Sequence, residues 1–246
     1  MVSRIIDSMT TISPDVRAAM IAAAERQLAA SPDRDIATRA VCEAVGVTQP
    51  VLYRLFGDKN GLLDALADDG LRRYAEQKAA QPRTADPVAD LRAGWDDHMA
   101  FARENPALYQ LMFAPRPRSH AQARRKIMDL LEATLLRCAA VGALRVAPQV
   151  AAQLILPANV GLALSLIAQP ELFADAGLSH RMRDAVFAAV LTEPAGDAEA
   201  DPVGTAALRL RAQLAVSGTA ALEPVETALL DRWLERLQAP GAAGHA

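Results

Sequence analysis

Apolar residues recur along most of the chain at the three- and four-residue spacing of amphipathic helices, and Pro or Gly residues interrupt this spacing at intervals. Val16 and Met20 fall on one helical face, and the Ser13-Pro14-Asp15 sequence before them is typical of a helix start. The pattern predicts eleven helices, and no internal repeat is visible. The predicted ranges are 13–30, 36–45, 48–56, 59–80, 88–104, 106–113, 119–141, 148–168, 178–192, 203–216 and 223–238.

The composition also favours an all-α fold. Hydrophobic residues make up 52% of the 246 residues but aromatic residues only 4%, and alanine is the most common residue. Alanine stabilises helices, whereas strands favour β-branched and aromatic residues. The two cysteines, Cys42 and Cys138, are too few for a disulfide scaffold or a cysteine-rich zinc module. The chain is nevertheless long enough to bury a core without such cross-links.

Neither a secretory signal nor a membrane span is predicted. The N-terminus lacks a continuous apolar stretch, and the apolar segment 150–168 is interrupted by Gln153, Pro157 and Asn159. We therefore expect a soluble cytoplasmic protein without a membrane partner. The formal net charge is −3, so the charge of the whole chain gives no reason to expect nucleic-acid binding. Such binding would depend on a local surface.

Residues 38–56, TRAVCEAVGVTQPVLYRLF, have the pattern of two short helices that meet at a tight turn. Such a corner needs apolar inner faces, a small residue where the helices approach, and a glycine at the turn. Cys42 is the small residue, Gly46 forms the turn, and Thr48 can cap the second helix with Pro50 in its first turn. The apolar inner positions are Val41, Val45, Val47, Leu52 and Leu55. The segment is therefore a helix-turn-helix pattern.

The outward side of the second helix carries candidate DNA contacts. A recognition helix reads base edges with its N-terminal residues, while flanking donors hold phosphates. We predict that Thr48 and Gln49 reach base edges and that Pro50 contacts a thymine methyl group. Tyr53 and Lys59 would hold phosphates, Lys59 beside the backbone donors of a helix N-terminus. The candidate DNA-binding residues are Thr38, Arg39, Thr48, Gln49, Pro50, Tyr53, Arg54 and Lys59.

A two-helix corner with a glycine at its bend also occurs in proteins that do not bind DNA. Charge does not separate the two cases, because residues 1–60 contain as many acidic as basic residues. A longer motif is more selective. It consists of L-Y-x-x-F from Leu52 and K-x-x-L-L from Lys59.

With these motifs, residues 14–80 resemble the N-terminal domain of TetR-type transcriptional regulators. The matching elements are VCEAVGV, TQPVLYRLF and GDKNGLL. The resemblance implies that a first helix supports the helix-turn-helix and that a fourth helix leads to a larger helical body, which binds a small molecule and dimerises. The chain has Ala37 where this family often has a hydroxyl residue, and Thr38 is the expected substitute for that phosphate contact.

The segment 95–113, WDDHMAFARENPALYQLMF, resembles a C-terminal subgroup of the same family that carries a Trp-His-Gly element. The corresponding later region here reads Ala158-Asn159-Val160-Gly161, so the resemblance is partial. A pocket between helices is mostly apolar with a few polar groups. The candidate ligand-binding residues are Trp95, His98, Met99, Tyr109, Met112, Phe113 and Asn159. Met and aromatic residues at helical spacing are equally typical of a protein core.

Other polar groups favour structural interpretations. His98 lies beside Asp96 and Asp97, but one histidine with two surface carboxylates is more typical of a solvated group than of a metal site. We predict no metal and no cofactor. The basic run from Arg116 to Lys126 is expected to be a solvated helix face rather than a site for an acidic effector or flanking DNA.

These patterns predict an all-α protein with an N-terminal three-helix DNA-binding domain and a larger helical ligand-binding and dimerisation domain. The domains are 1–58 (helix-turn-helix), 59–80 (connecting helix), 81–240 (effector binding and dimerisation) and 241–246 (disordered tail). The expected protein is a homodimeric repressor that an unidentified small-molecule effector releases from a palindromic double-stranded DNA operator.

The dimer face is expected on the Ala- and Leu-rich helices 148–168 and 178–192. One alternative is a homologue without DNA affinity that acts through protein contacts. The other is a small-molecule enzyme, which the sequence disfavours because it lacks a recognisable nucleophile motif, P-loop or dinucleotide fingerprint.

Overall fold

The computed structural model describes residues 14–31, 35–114, 121–192 and 202–238, and these form eleven α-helices. The helices are α1 (Pro14–Ala30), α2 (Thr38–Val45), α3 (Gln49–Phe56), α4 (Lys59–Ala79), α5 (Pro87–Glu104), α6 (Pro106–Phe113), α7 (Ala121–Ala140), α8 (Pro148–Ala168), α9 (Leu178–Val190), α10 (Pro202–Ser217) and α11 (Pro224–Gln238). All eleven correspond to predicted helices, and only the ends differ. Ser13 and the tail 241–246 lie outside the described residues.

The chain divides into two compact units. Within the described residues, the first unit comprises Met1–Tyr74 with Asn105–Ala123, and the second comprises Ala75–Glu104 with Arg124–Ala246. The boundary after Tyr74 falls inside α4, so this helix contributes to both units. The domain limits predicted from the sequence concern functional roles and stay predictions.

The core of the first unit is centred on α1. This helix packs against α2 and α6, and α2 packs against α3. Met20 and Ala24 of α1 and Leu52 of α3 are fully buried. Arg17 lies over the ring of Phe56, 5.3 Å from its centroid, and links α1 to the end of α3. Burial of apolar surface stabilises this arrangement and fixes α3 from its inner side.

Helix α6 belongs to the same unit, although it follows α5 in sequence. Gly70 of α4 allows a close approach, because an added Cβ would lie 3.0 Å from Met112 Sδ. The rings of Tyr74 and Phe113 meet edge to face, with their centroids 6.2 Å apart. These contacts hold α6 against the part of α4 that lies in the first unit.

The second unit is built on α5, α8 and α9, which pack against one another. Trp95 Nε1 donates a hydrogen bond of 3.1 Å to Ser179 Oγ, and the Trp95 ring lies 6.0 Å from that of Phe187. Arg183 Nη1 is 3.0 Å from Asp96 Oδ1. An aromatic contact and an ion pair therefore join α5 to α9.

A second polar cluster joins the start of α5 to α7. Arg137 Nη1 lies 2.7 Å from Asp90 Oδ2, and Thr84 Oγ1 donates to Asp90 Oδ1. The hydrogen bonds from Thr84 and from Arg137 hold the pKa of Asp90 below its usual value. Cys138 Sγ donates to the carbonyl of Pro87, and burial raises the pKa of Cys138 to about 12. This thiol is therefore a poor nucleophile.

Helix α8 differs from the sequence-based expectation. By length and composition alone, α8 is the one helix of the described ranges that could cross a membrane. From the sequence, the polar residues and Pro157 are expected to leave no apolar stretch long enough to span a membrane, whereas the predicted continuous helix through Pro157 is present. Its residues Ala151, Ile155 and Leu162 are buried within the second unit. Core helices of soluble proteins meet the same length and composition test.

Two further features are not predicted by the pattern of apolar residues. An isolated antiparallel bridge joins Leu144 to Leu191, with Arg145 N–H donating to the carbonyl of Val190. Near the C-terminus, α10 packs against α11, and Arg211 pairs with Asp231 at 2.6 Å. Isolated bridges and helix pairings depend on distant residues, which the local periodicity does not report.

Candidate nucleic-acid interface

The turn between α2 and α3 has the geometry that the sequence predicts. Gly46 has a φ of +71°, a left-handed conformation that favours glycine. Its N–H and that of Val47 donate back to carbonyls in the last turn of α2. This closes α2 and starts α3 two residues later.

The inner face of the corner is apolar, as predicted. Val41, Cys42 and Leu52 are buried. Val45 and Leu55 are half-buried at its margin. Burial raises the pKa of Cys42 above its usual value, which disfavours the thiolate.

The outer face of α3 is exposed. Thr48, Gln49, Pro50 and Arg54 are exposed, and Tyr53 has 49% of its surface exposed. Thr48 occupies the N-cap position, but its hydroxyl makes no capping hydrogen bond, contrary to the predicted cap. The predicted base-reading and phosphate-binding side chains of α3 therefore lie together on one accessible surface.

The first turn of α4 requires a second glycine where it approaches the end of α3. An added Cβ at Gly61 would lie 1.8 Å from the carbonyl oxygen of Phe56, which excludes other residues without a backbone shift. Asp58 Oδ1 accepts a hydrogen bond of 2.7 Å from Gly61 N–H. One backbone donor at the start of α4, predicted to face phosphate, is therefore bonded within the chain.

Two of the predicted phosphate-binding cations pair with carboxylates. Lys59 Nζ lies 2.6 Å from Asp35 Oδ2, and Arg39 Nε lies 2.9 Å from Glu43 Oε1. Thr38 is half-buried in the first turn of α2. The pairing of Lys59 with Asp35 spans 24 positions, and only the fold brings these residues together.

The predicted ligand-binding residues fall into two groups. Tyr109, Met112 and Phe113 are buried in the first unit, where burial raises the pKa of Tyr109. The second unit contains the other four. These are Trp95, His98, Met99 and Asn159, all of them buried.

Within the second unit, Asn159 is poorly satisfied. Its Nδ2 is 3.5 Å from the carbonyl of Trp95, and its buried Oδ1 finds no hydrogen-bond partner among the described residues. A buried acceptor without a donor is costly. The sequence marked Asn159 as a polar residue in an apolar helix but could not show that its oxygen is unpaired.

His98 is not the solvated residue that its two acidic neighbours indicated. Only 3% of it is exposed, whereas its neighbours Asp96 and Asp97 are exposed residues. Burial, with a smaller contribution from nearby Lys78, lowers the pKa of His98 to about 3. In the part of the chain that the structure describes, no group of three potential metal ligands is present.

Comparison with known families adds a finding on the same helices. Residues 20–66 match the model of "Bacterial regulatory proteins, tetR family". The N-terminal helices form a tetR-family domain. The match covers most of α1, the whole helix-turn-helix and the start of α4, so the exposed flank of α3 lies within the matched residues. A comparison with curated protein sequences gave no match.

Solved structures show the same fold over most of the chain. A protein of unknown function from Rhodococcus sp. RHA1 is 22% identical, with a TM-score of 0.60 over 75% of this chain and 100% of its own. A TetR-family regulator from Pectobacterium atrosepticum is 18% identical, with a TM-score of 0.57 over 74% and 96%. SmeT, the repressor of the Stenotrophomonas maltophilia efflux pump SmeDEF, is 22% identical, with a TM-score of 0.55 over 72% and 91%.

At these identities the likeness establishes the fold. The chain is a TetR-like all-α protein with an N-terminal helix-turn-helix domain and a larger helical C-terminal part. None of the comparisons supports the resemblance to the Trp-His-Gly subgroup, which stays a prediction.

The buried His98 makes the stability of the second unit depend on pH. The unfolded chain binds a proton at His98 near pH 6.5, whereas the folded chain does not until about pH 3. Stability is therefore lost as the pH falls through this range. When the pH is lowered from about 7 to 5, the unfolding free energy of the parent chain should fall by about 1 to 2 kcal/mol more than that of His98→Gln. Urea titrations at both pH values measure this, and equal losses would contradict it.

Proposed function

We propose that the chain is a homodimeric transcriptional repressor that binds a palindromic DNA operator and is released from it by a small-molecule effector. The observation that carries the proposal is the exposed polar flank of α3, formed by Thr48, Gln49 and Tyr53, within a tetR-family domain. SmeT, which shares the fold, is a repressor. The proposal places the protein in the cytoplasm and gives it no catalytic role.

The DNA contacts follow from the position of each side chain on α3. Thr48 and Gln49, at the N-terminal end, are placed to read base edges in the major groove, and Pro50 offers an apolar contact. Tyr53 and Arg54 lie one turn further along, where side chains reach the phosphate backbone. Thr38, Arg39 and Lys59 flank the helix as further phosphate contacts.

The contribution of Gln49 to base reading is testable by substitution. Gln49→Ala should change the preferred operator sequence, at a cost of about 1 to 3 kcal/mol for the original operator if the amide makes a bidentate base contact. In contrast, Tyr53→Phe removes a proposed phosphate contact and should lower the affinity for all duplexes to a similar degree. Fluorescence anisotropy with an operator selected from random DNA measures both effects.

The control for Gln49→Ala is Gln77→Ala, the same change at an exposed position near the end of α4. It should leave both affinity and preference unchanged. Absence of any sequence-selective binding by the parent chain would instead favour the alternative of a homologue that acts through protein contacts.

The dimer is proposed to form through the exposed side of α8 and α9. Val150 and Leu154 of α8 and Met182 of α9 are large apolar residues with 37–47% of their surface exposed. Gly161, on the same side of α8, is exposed, and an added Cβ would meet nothing within 4 Å. A self-complementary apolar face of this kind suits an isologous two-fold interface.

A charge placed on this face should dissociate the dimer. Leu154→Glu would bury an unpaired carboxylate at the interface, and we expect the dissociation constant to rise about 100-fold or more. Leu229→Glu on α11 is the matched control, because Leu229 and Leu154 are 44% and 46% exposed. Sedimentation equilibrium measures the dimer constant. Dissociation by the α11 variant alone would place the interface on α11.

The effector is proposed to bind in the second unit near Trp95, His98, Met99 and Asn159. The unpaired Asn159 oxygen, among buried apolar side chains, indicates a largely apolar molecule that donates a hydrogen bond. We propose that binding changes α4, which contributes to both units, and thereby alters the spacing of the two recognition helices in the dimer.

Replacement of Asn159 separates folding from effector binding. Asn159→Leu removes the buried unpaired oxygen, so the free protein should gain about 1 kcal/mol in unfolding free energy. Small apolar molecules with a hydrogen-bond donor that raise the melting temperature of the parent chain should no longer raise that of Asn159→Leu. Met99→Leu, a volume-conserving change in the same cluster, is the control. Undiminished stabilisation of the Asn159 variant would contradict the proposed contact.

A further inference from the structure

An acidic side chain forms an ion pair with one of the cations of the proposed DNA-binding surface. Asp35 Oδ2 lies 2.6 Å from Lys59 Nζ, and both residues belong to the first unit. Lys59 begins α4 and is a predicted phosphate contact. In the free protein its ammonium group therefore has a carboxylate at the distance that a phosphate oxygen would take.

Asp35 is held in this place by its own backbone neighbourhood. Its Oδ1 accepts a hydrogen bond of 2.8 Å from Ile36 N–H, and its N–H donates to Ser31 Oγ at 3.2 Å. Ile36 is buried, with 3% of its surface exposed. The carboxylate is thus anchored on one oxygen and presents the other to Lys59.

The pair formed by Arg39 and Glu43 is less constrained. Their side chains are 82% and 65% exposed, against 39% for Lys59 and 59% for Asp35. Both residues lie on the surface of α2, one turn apart, where side chains exchange partners at little cost. The anchored pair is the one with which a DNA phosphate has to compete.

We infer that Asp35 competes with DNA phosphate for Lys59 and so lowers the affinity of the chain for all duplexes. This inference rests on the proposed DNA-binding function. On binding, either the ion pair breaks, or the carboxylate stays beside a phosphate and the two negative charges repel. Because phosphate contacts carry no sequence information, Asp35 sets affinity without changing operator preference.

The carboxylate is ionised under the conditions in which the chain would bind DNA. The hydrogen bond from Lys59, and then that from Ile36 N–H, hold the pKa of Asp35 below its usual value. The competition therefore operates throughout the neutral range. It limits non-specific binding in particular, since that binding depends almost entirely on phosphate contacts.

The test replaces the charge and keeps the local structure. Asp35→Asn retains an acceptor for Ile36 N–H, and Asp35→Ser does so with a shorter side chain should the Asn variant unfold. At about 0.1 M salt we expect about two- to fivefold tighter binding of a selected operator and of a scrambled duplex alike. The plot of log affinity against log salt should become steeper by about one unit.

Two controls distinguish the competition from a general effect of charge. Glu171→Gln changes the net charge equally at an exposed position in the second unit and should leave affinity unchanged. In a Lys59→Ala background, Asp35→Asn should have no further effect, because the competition acts through Lys59. Circular dichroism confirms that each variant is folded.

The possible outcomes distinguish the role of Asp35 from DNA binding itself. If the parent chain binds DNA and Asp35→Asn leaves its affinity unchanged or lowers it, this inference is overturned and the proposed function stays intact. The same would hold if Glu171→Gln produced an equal gain. Failure of the parent chain and of Asp35→Asn to bind any duplex would overturn the proposed function and this inference together.

Discussion

The eight-residue helix α3 buries one side only, and the surface proposed to contact DNA depends on that constraint. Leu52 is fully buried against the corner, while its neighbours Val51 and Tyr53 are half-buried and exposed, respectively. Gly46, with its positive φ, lets α3 leave α2 at the angle that this packing needs. A helix this short has no intrinsic stability in water, so tertiary burial of its inner face maintains it.

The same packing explains why polar residues on α3 are tolerated without partners in the fold. They face solvent, so they carry no desolvation cost. At the other end of α3, Gly61 permits contact with the backbone of Phe56, and α4 begins beside it. Lys59 is thereby brought to the margin of the α3 surface, where it also meets Asp35. The charge of Lys59 is therefore offset by the carboxylate of Asp35.

The core of the second unit differs from that of the first because it contains buried polar groups. These include the neutral imidazole of His98 and the unpaired oxygen of Asn159, among aromatic and aliphatic side chains. A buried acceptor such as the Asn159 oxygen lowers stability when no donor reaches it. The first unit is thus held mainly by apolar burial, whereas the core of the second unit contains a buried acceptor, Asn159 Oδ1, without a partner among the described residues. α4 contributes to both.

The sequence by itself determined the eleven helices, the corner at Gly46 and the outward face of α3. These features depend on local periodicity and turn chemistry, which involve residues within one or two turns of each other. The tertiary structure alone decided the burial of His98, the membership of α6 in the first unit and the pairing of Lys59 with Asp35. Each of these depends on contacts between residues far apart in sequence, and a linear pattern carries no record of which helical faces will meet.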